Sequence, residues 1–308
     1  MRQFSLEIDL RRLYNYPGID FCGIFNELED KYNMKKTTRA LTIIIALVVL
    51  VATVSACGAG EGSGGGGASV PDNQEPSLKT VSPGLLIMAT NAEFPPYEFW
   101  EGSEIVGIDA EIAAAIAEKL GLTLQIDDMD FGAIIASVTA GRADIAMAGL
   151  TVTEERKESV NFSTSYARGI QVVIVGEESP ITSVEDLYEI GGFDIGVQES
   201  TTGDLYTTWF LEDEGLATIH RFRRGADAVQ SLVIGRVDCV VIDNEPAKAF
   251  VAMNPGLHIL DTEFEVEDYA IAMSKDNPGL LAAVDGALNA LIADGTVQRI
   301  IDKYISSD

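Results

Sequence analysis

Basic residues are scarce in this chain, where 21 Lys and Arg stand against 48 Asp and Glu for a formal net charge of −27. That balance excludes a nucleic-acid partner, because neutralising phosphates takes clustered cations. Histidine and cysteine are rarer still, at two and three residues of 308. Neither a disulfide scaffold nor a zinc cluster can be built from them, so no metal and no cofactor is expected. Apolar runs of membrane-spanning length are missing too: the stretch from Leu41 to Val54 has fourteen residues, short of the ~20 a spanning helix needs. What the chain does have is core material. Hydrophobic residues make up 47%, enough for one large domain or two ordinary ones, and general disorder is excluded.

The N-terminal third reads as an address. Met34-Lys35-Lys36 and Arg39 form a positive segment ahead of Leu41 to Val54, and Val54-Ser55-Ala56-Cys57 follows. This order predicts a signal peptide over 34–56. Small residues directly before a cysteine resemble a bacterial lipobox, which makes Cys57 the lipidated N-terminus of an exported protein. The alternative is a retained signal anchor with a chance cysteine. Residues 1–33 lack an apolar segment of their own, and the layout predicts that translation starts at Met34. Seven of the ten residues from Gly58 to Gly67 are glycine, so 57–83 is expected to be a flexible leash. Cys239, flanked by Val237, Val240 and Val241, is expected to be a small buried hydrophobe without a disulfide partner.

From Leu85 onward, strand and helix patterns alternate. Leu85 to Ala89 suits a buried strand; Ile108, Ile112, Ile116 and Leu120 recur every four residues ahead of Gly121, as in a capped helix. Leu122 to Ile126 and Asp144 to Ala148 read as strands, with a helix over Ala133 to Ala140 between them. Alternation of this kind implies a parallel sheet covered on both faces. One pattern occurs twice: Ile135 to Met147, with Gly141-Arg142 and Asp144, is echoed in Val229 to Val241 by Gly235-Arg236 and Asp238. Helix caps reuse few residue types, so chance is one reading of the echo. Two similar α/β lobes are the other. The strands then end at Ala148-Gly149 and Ile242-Asp243, and ligands of open α/β sheets sit beyond such ends. Crossings between lobes are expected at Arg168 to Val175 and Tyr269 to Met273, with helices over Leu280 to Ala293 and Val297 to Tyr304 returning to the first lobe. The boundaries are 84–170 with 271–308 for lobe 1, and 171–270 for lobe 2.

Several stretches resemble the bacterial extracellular solute-binding proteins that deliver polar amino acids to ABC importers. They are Ala89-Thr-Asn-Ala-Glu-Phe-Pro-Pro-Tyr-Glu-Phe, Gly107-Ile-Asp-Ala-Glu, Phe131-Gly-Ala-Ile-Ile, Ala148-Gly-Leu-Thr-Val-Thr-Glu-Glu-Arg, Val160-Asn-Phe-Ser-Thr-Ser-Tyr and Val241-Ile-Asp. The resemblance implies a two-lobe, periplasmic-binding-protein-like α/β fold, each lobe a sheet flanked by helices, joined by a two-strand hinge. It implies a free amino acid as ligand, an ABC permease as partner, a monomer held outside the cytoplasmic membrane by its lipid, and no catalysis.

Site residues follow by position. A planar guanidinium suits a free carboxylate; spacing alone makes Arg156 a solvated residue of an acidic helix start, and the resemblance makes it the carboxylate anchor. Thr151 and the backbone N–H groups around Gly149 and Thr151 complete that subsite, with Gly149 allowing close approach. Asp243 ends an apolar strand, where a ligand ammonium can partner it; capping the helix that opens near Glu245-Pro246 is its other reading. Thr202 matches a second-lobe loop that donates to the carboxylate. Phe94 and Phe131 resemble aromatic walls, though each read alone is core. Asn91 stands where some binders of cationic amino acids carry Asp, and Glu93 and Glu98 are expected on solvated surface. His220, His258, Trp100 and Trp209 are read as structural. The same fold also carries secreted cyclohexadienyl-type dehydratases and amino acid sensing domains, which are the alternatives.

Overall fold

The computed structural model describes residues 78–305. The extension 1–33, the signal peptide 34–56, Cys57 and most of the Gly-rich leash lie outside the described residues. Twelve strands and nine α-helices are described. The strands are β1 Leu85–Thr90, β2 Glu93–Phe94, β3 Glu98–Glu101, β4 Glu104–Val106, β5 Thr123–Asp128, β6 Ile145–Ala146, β7 Val160–Gly176, β8 Phe193–Gln198, β9 Ala217–Phe222, β10 Cys239–Asp243, β11 Leu257–Ile259 and β12 Glu265–Ser274.

Eight strands lie side by side in the order β5-β1-β6-β12-β7-β10-β8-β9, with β11 also on β7. At one end β1 pairs in parallel with β5 and β6. At the other, β8 pairs in parallel with β9 and β10. Between them run β7 and β12, antiparallel to each other from Glu265↔Gln171 to Ser274↔Val160. The sheet is therefore mixed, where strand–helix alternation predicts a parallel one. The reason is β7, a 17-residue strand that leaves one lobe and enters the other without turning, so its neighbours in both lobes meet it head to tail. Its start at Val160 also lies eight residues before the expected crossing.

Each lobe packs apolar side chains on both faces of its strands. In the first, Leu86, Met88, Ile112, Ile116 and Ile145 meet Val284 and Leu288 of the helix Pro278–Ala293, while Ile87, Ile134, Val138 and Ala148 fill the opposite face. In the second, Val173, Ile195, Leu211 and Val241 form one face, and Ile174, Val229, Val240 and Phe250 the other. The helix Ile108–Leu120 buries its Ile108, Ile112 and Ile116 stripe and stops at Gly121, whose N–H returns to Glu118 O. Cys239 is fully buried, and its thiol is pushed up by that burial.

The repeated Gly-Arg-x-Asp pattern has the same physical job twice. Gly141 and Gly235 take left-handed φ values of 65° and 69°, which ends each helix and turns the chain toward its strand. Asp144 then donates its N–H to Ile87 O and accepts the Ile87 N–H, both at 2.8 Å. Asp238 does the same to Asp194, at 2.7 and 2.8 Å. Each aspartate clamps the first strand of its unit, so the echo reflects equivalent geometry.

Candidate functional site

All eight residues singled out from the sequence, Asn91, Phe94, Phe131, Gly149, Thr151, Arg156, Thr202 and Asp243, line one narrow pocket between the lobes. Glu98 and Gln198 line it as well.

Arg156 is held rather than solvated. Thr153 opens the helix Glu154–Ser159 by accepting the Arg156 N–H at 3.1 Å, and the side chain turns inward to 7% exposure. Its Nη1 donates to Thr151 O at 2.8 Å and its Nη2 to Ser200 O, across the cleft, at 3.2 Å. The guanidinium lies over the Phe131 ring, 5.4 Å from its centroid. Among the described residues no carboxylate pairs with it, and burial lowers its basicity while the charges of Glu267 and Asp243 oppose that effect.

Thr151 and Thr202 meet across the cleft with their hydroxyls 3.5 Å apart. Behind them sit two residues that were not singled out, Gln171 and Glu267. Thr151 donates to Glu267 Oε2 at 2.9 Å, and Gln171 Nε2 donates to the same oxygen at 3.1 Å. Gln171 left a signal, being a polar residue within the apolar run Ile170 to Val175. Glu267 left none.

Gly149 departs from expectation. Its φ is +51°, and a Cβ there would lie 2.8 Å from the Phe94 ring, so glycine makes room for the aromatic wall. Its N–H is already taken by Asp109 Oδ2 at 2.9 Å; Gly149 therefore contributes shape to the cavity, and the donor role expected of it is filled within the protein. Asn91 is similarly engaged. Its Nδ2 donates to Met129 O and its Oδ1 accepts from Gln198 Nε2, both at 3.0 Å, which ties the two lobes at the far side of the cavity.

Asp243 ends β10 and is buried. No side-chain cap bond to the following helix forms; the carboxylate instead accepts the Tyr269 hydroxyl. Burial and the neighbouring Glu267 charge push its pKa up. Glu98 contradicts the surface expectation outright. The short sheet β2-β3-β4 turns it inward to 0% exposure, and burial beside Asp109 holds its pKa well above the carboxylate range. Glu93 is half-buried at the rim, where it meets Arg224 across the cleft at 3.6 Å. Arg223 reaches Asp130 beside it. Trp100 is half-exposed and donates to Asp128 at 3.1 Å. Trp209 is exposed too.

Comparison with known proteins agrees with this architecture. The sequence profile of bacterial extracellular solute-binding proteins, family 3, matches residues 86–307. The arginine-binding extracellular protein ArtP of Bacillus subtilis is 31% identical over 226 residues, 72% of this chain and 87% of that protein. Among solved structures, an ancestral arginine-binding protein bound to arginine superposes with a TM-score of 0.68 at 38% identity, covering 72% of this chain and 99% of that one. An ancestral amino acid-binding protein described as a precursor of cyclohexadienyl dehydratase gives 0.66 at 31% identity, covering 72% and 95%.

Proposed function

This chain belongs to the bacterial extracellular solute-binding proteins, family 3, and from that premise we propose that it captures a polar or basic L-amino acid outside the cytoplasmic membrane and presents it to an ABC permease. One observation carries the reading: Arg156 is a deeply buried guanidinium whose bonds go to two backbone carbonyls and to no carboxylate among the described residues. A buried unpaired charge is costly, and an anionic guest relieves it. The α-carboxylate goes to Arg156 with Thr151 and Thr202, the α-ammonium to Asp243, and the side chain between Phe94 and Phe131. Because Arg156 precedes the crossing strands and Asp243 follows the first of them, only approach of the lobes brings both onto one molecule. Ligand binding therefore shifts an open–closed equilibrium.

A thermal-shift panel over the common amino acids tests this. Ligand at 100 times its Kd adds about 2.7 kcal/mol. Arg156→Ala abolishes the shift for every amino acid and Asp243→Ala weakens it severely; full binding by both variants would sink the assignment. The competing reading is a dehydratase, favoured by the buried Glu98 in the same cavity, whose pKa burial pushes well above the carboxylate range, the direction an acid for an assisted elimination needs. Turnover of a cyclohexadienyl acid by the purified protein would establish it in place of transport.

The domain assignment and anchor belong to the same proposal. Cys57 is diacylated and 57–83 tethers a monomer whose lobes are 84–170 with 271–308, and 171–270. Cys57→Ser is expected to move the protein from the membrane to the soluble fraction and to abolish labelling by radioactive palmitate; unchanged labelling refutes the anchor.

A further inference from the structure

A hydroxyl has a single proton to give, so a threonine that faces a guest donates only if nothing within the protein has claimed that proton. Three threonines line the pocket: Thr151, Thr201 and Thr202. Thr151 spends its proton on Glu267 Oε2 at 2.9 Å, and Thr201 spends its own on the Gln198 carbonyl at 2.7 Å. Thr202 differs. It accepts from Gln171 Nε2 at 3.3 Å, and among the described residues its proton has no acceptor closer than Thr151 Oγ1, 3.5 Å away across the cleft, beyond the range of a good hydroxyl bond. The donor behind it is firmly held. Gln171 is fully buried and is the residue of β7 that pairs with both β12, at Glu265, and β10, at Asp243. The same Nε2 donates to Glu267 Oε2 at 3.1 Å, and this bond sets the amide the right way round, since turned over it would place its oxygen against the Glu267 carboxylate. A Cβ on Gly203 would lie 3.0 Å from Gln171 Oε1, so glycine there leaves the amide its room.

We propose that Gln171 is a positioning residue of the carboxylate subsite: by donating to Thr202 Oγ1 it turns the Thr202 proton into the pocket, where the ligand's α-carboxylate receives it. The inference rests on the carboxylate placement proposed above and adds the residue that aims one of its donors. Gln171 stands behind the lining and acts through Thr202. A hydroxyl left to rotate has to be ordered when the guest arrives, whereas one already set by its neighbour is ordered in advance, and the affinity gained is that of preorganisation. The direction of the relay runs from the crossing strand into the second lobe. Glu267 orients the Gln171 amide, the amide orients the Thr202 hydroxyl, and the hydroxyl meets a carboxylate whose other donor, Arg156, comes from the first lobe.

The test is a double-mutant cycle read in affinity, with Gln171→Met, which keeps the length of the side chain and removes the donor, and Thr202→Val, which keeps the shape and removes the hydroxyl. Kd values for L-arginine and L-glutamine, one basic and one polar amino acid, are measured by titration calorimetry of the full chain. Each single variant is expected to weaken binding about 5- to 10-fold. The double variant is expected to be no weaker than the weaker single, because Gln171 acts through a hydroxyl that is then gone. Losses that multiply would show Gln171 supporting the fold alone and overturn the proposal, as would wild-type affinity in either single variant. Thr202→Ser restores the hydroxyl and is expected to bind within about twofold of wild type. Should Gln171→Met not fold, the two Thr202 variants still decide: equal affinity of the valine and serine forms means that no proton is delivered there. A wild-type chain that binds no common amino acid removes the amino-acid reading itself, and this inference with it.

Discussion

Asp109 shows how much one side chain can hold together. It sits on the first turn of the helix Ile108–Leu120, fully buried, accepts the Gly149 N–H that fixes the floor of the cavity, and faces Glu98. Burial raises its pKa to about 6 from an unfolded value of ~3.9. A raised carboxyl binds protons more tightly in the folded chain, so its contribution is fully present below the unfolded value and is lost as pH rises toward 6. Between about pH 4 and 6 this group alone removes on the order of 3 kcal/mol. The difference in urea-unfolding free energy between wild type and Asp109→Asn is expected to change across that window and to be flat above it. A constant difference would show that Asp109 does not titrate there. Legibility at this scale was uneven. Asp243 stood out because a charge at the end of an apolar strand demands a partner, whereas Arg156, set among the polar residues Glu154, Glu155 and Lys157, stood out only through the family resemblance. Glu98 did not, since Tyr-Glu-Phe-Trp-Glu offers no periodicity that tells an inward acid from an outward one; only the pairing of Phe94 with Glu98 across β2 and β3 turns it inward.

Among the elements, the crossing strands carry the most consequence. Gly169 on β7 and Tyr269 on β12 lie side by side, and a Cβ on Gly169 would stand 2.0 Å from the Tyr269 hydroxyl oxygen. That hydroxyl is the donor to Asp243. A methyl group at 169 therefore pushes the ring off the carboxylate it positions. Gly169→Ala is expected to cost about 1–3 kcal/mol of stability by overpacking, read by urea denaturation, and to weaken amino acid binding in the thermal-shift panel. Wild-type values for both would remove Tyr269 from its positioning role. Most helices were legible here: Ile108, Ile112 and Ile116 mark their element by spacing, and Gly121, Gly141 and Gly235 mark the ends. The direction of the central strands was not, because the sequence pattern of a buried strand is the same whichever way its neighbours run.

At the scale of the whole molecule, the two lobes are repeats in their strand clamps and unlike in their contents, since one supplies Arg156 and Phe131 and the other Asp243 and Thr202. The duplicated Asp144 and Asp238 contacts explain why the architecture could be read from an internal echo. The cavity lining could be read only in part, because Gln198 reaches it from the last position of β8 and Glu98 from the first position of the short β3, where local sequence does not determine which way a polar side chain turns.

The zipped pairing of β7 with β12 also governs how the halves can part. Two separate strings would let them twist, slide and tilt independently, whereas a two-stranded ribbon flexes easily across its flat face and stiffly in its own plane. Opening is then a door's swing with a single coordinate. Pairs of spin labels placed at different heights on the facing halves should report distances that change in fixed proportion at every ligand concentration; scatter between them would mean the door has more than one axis.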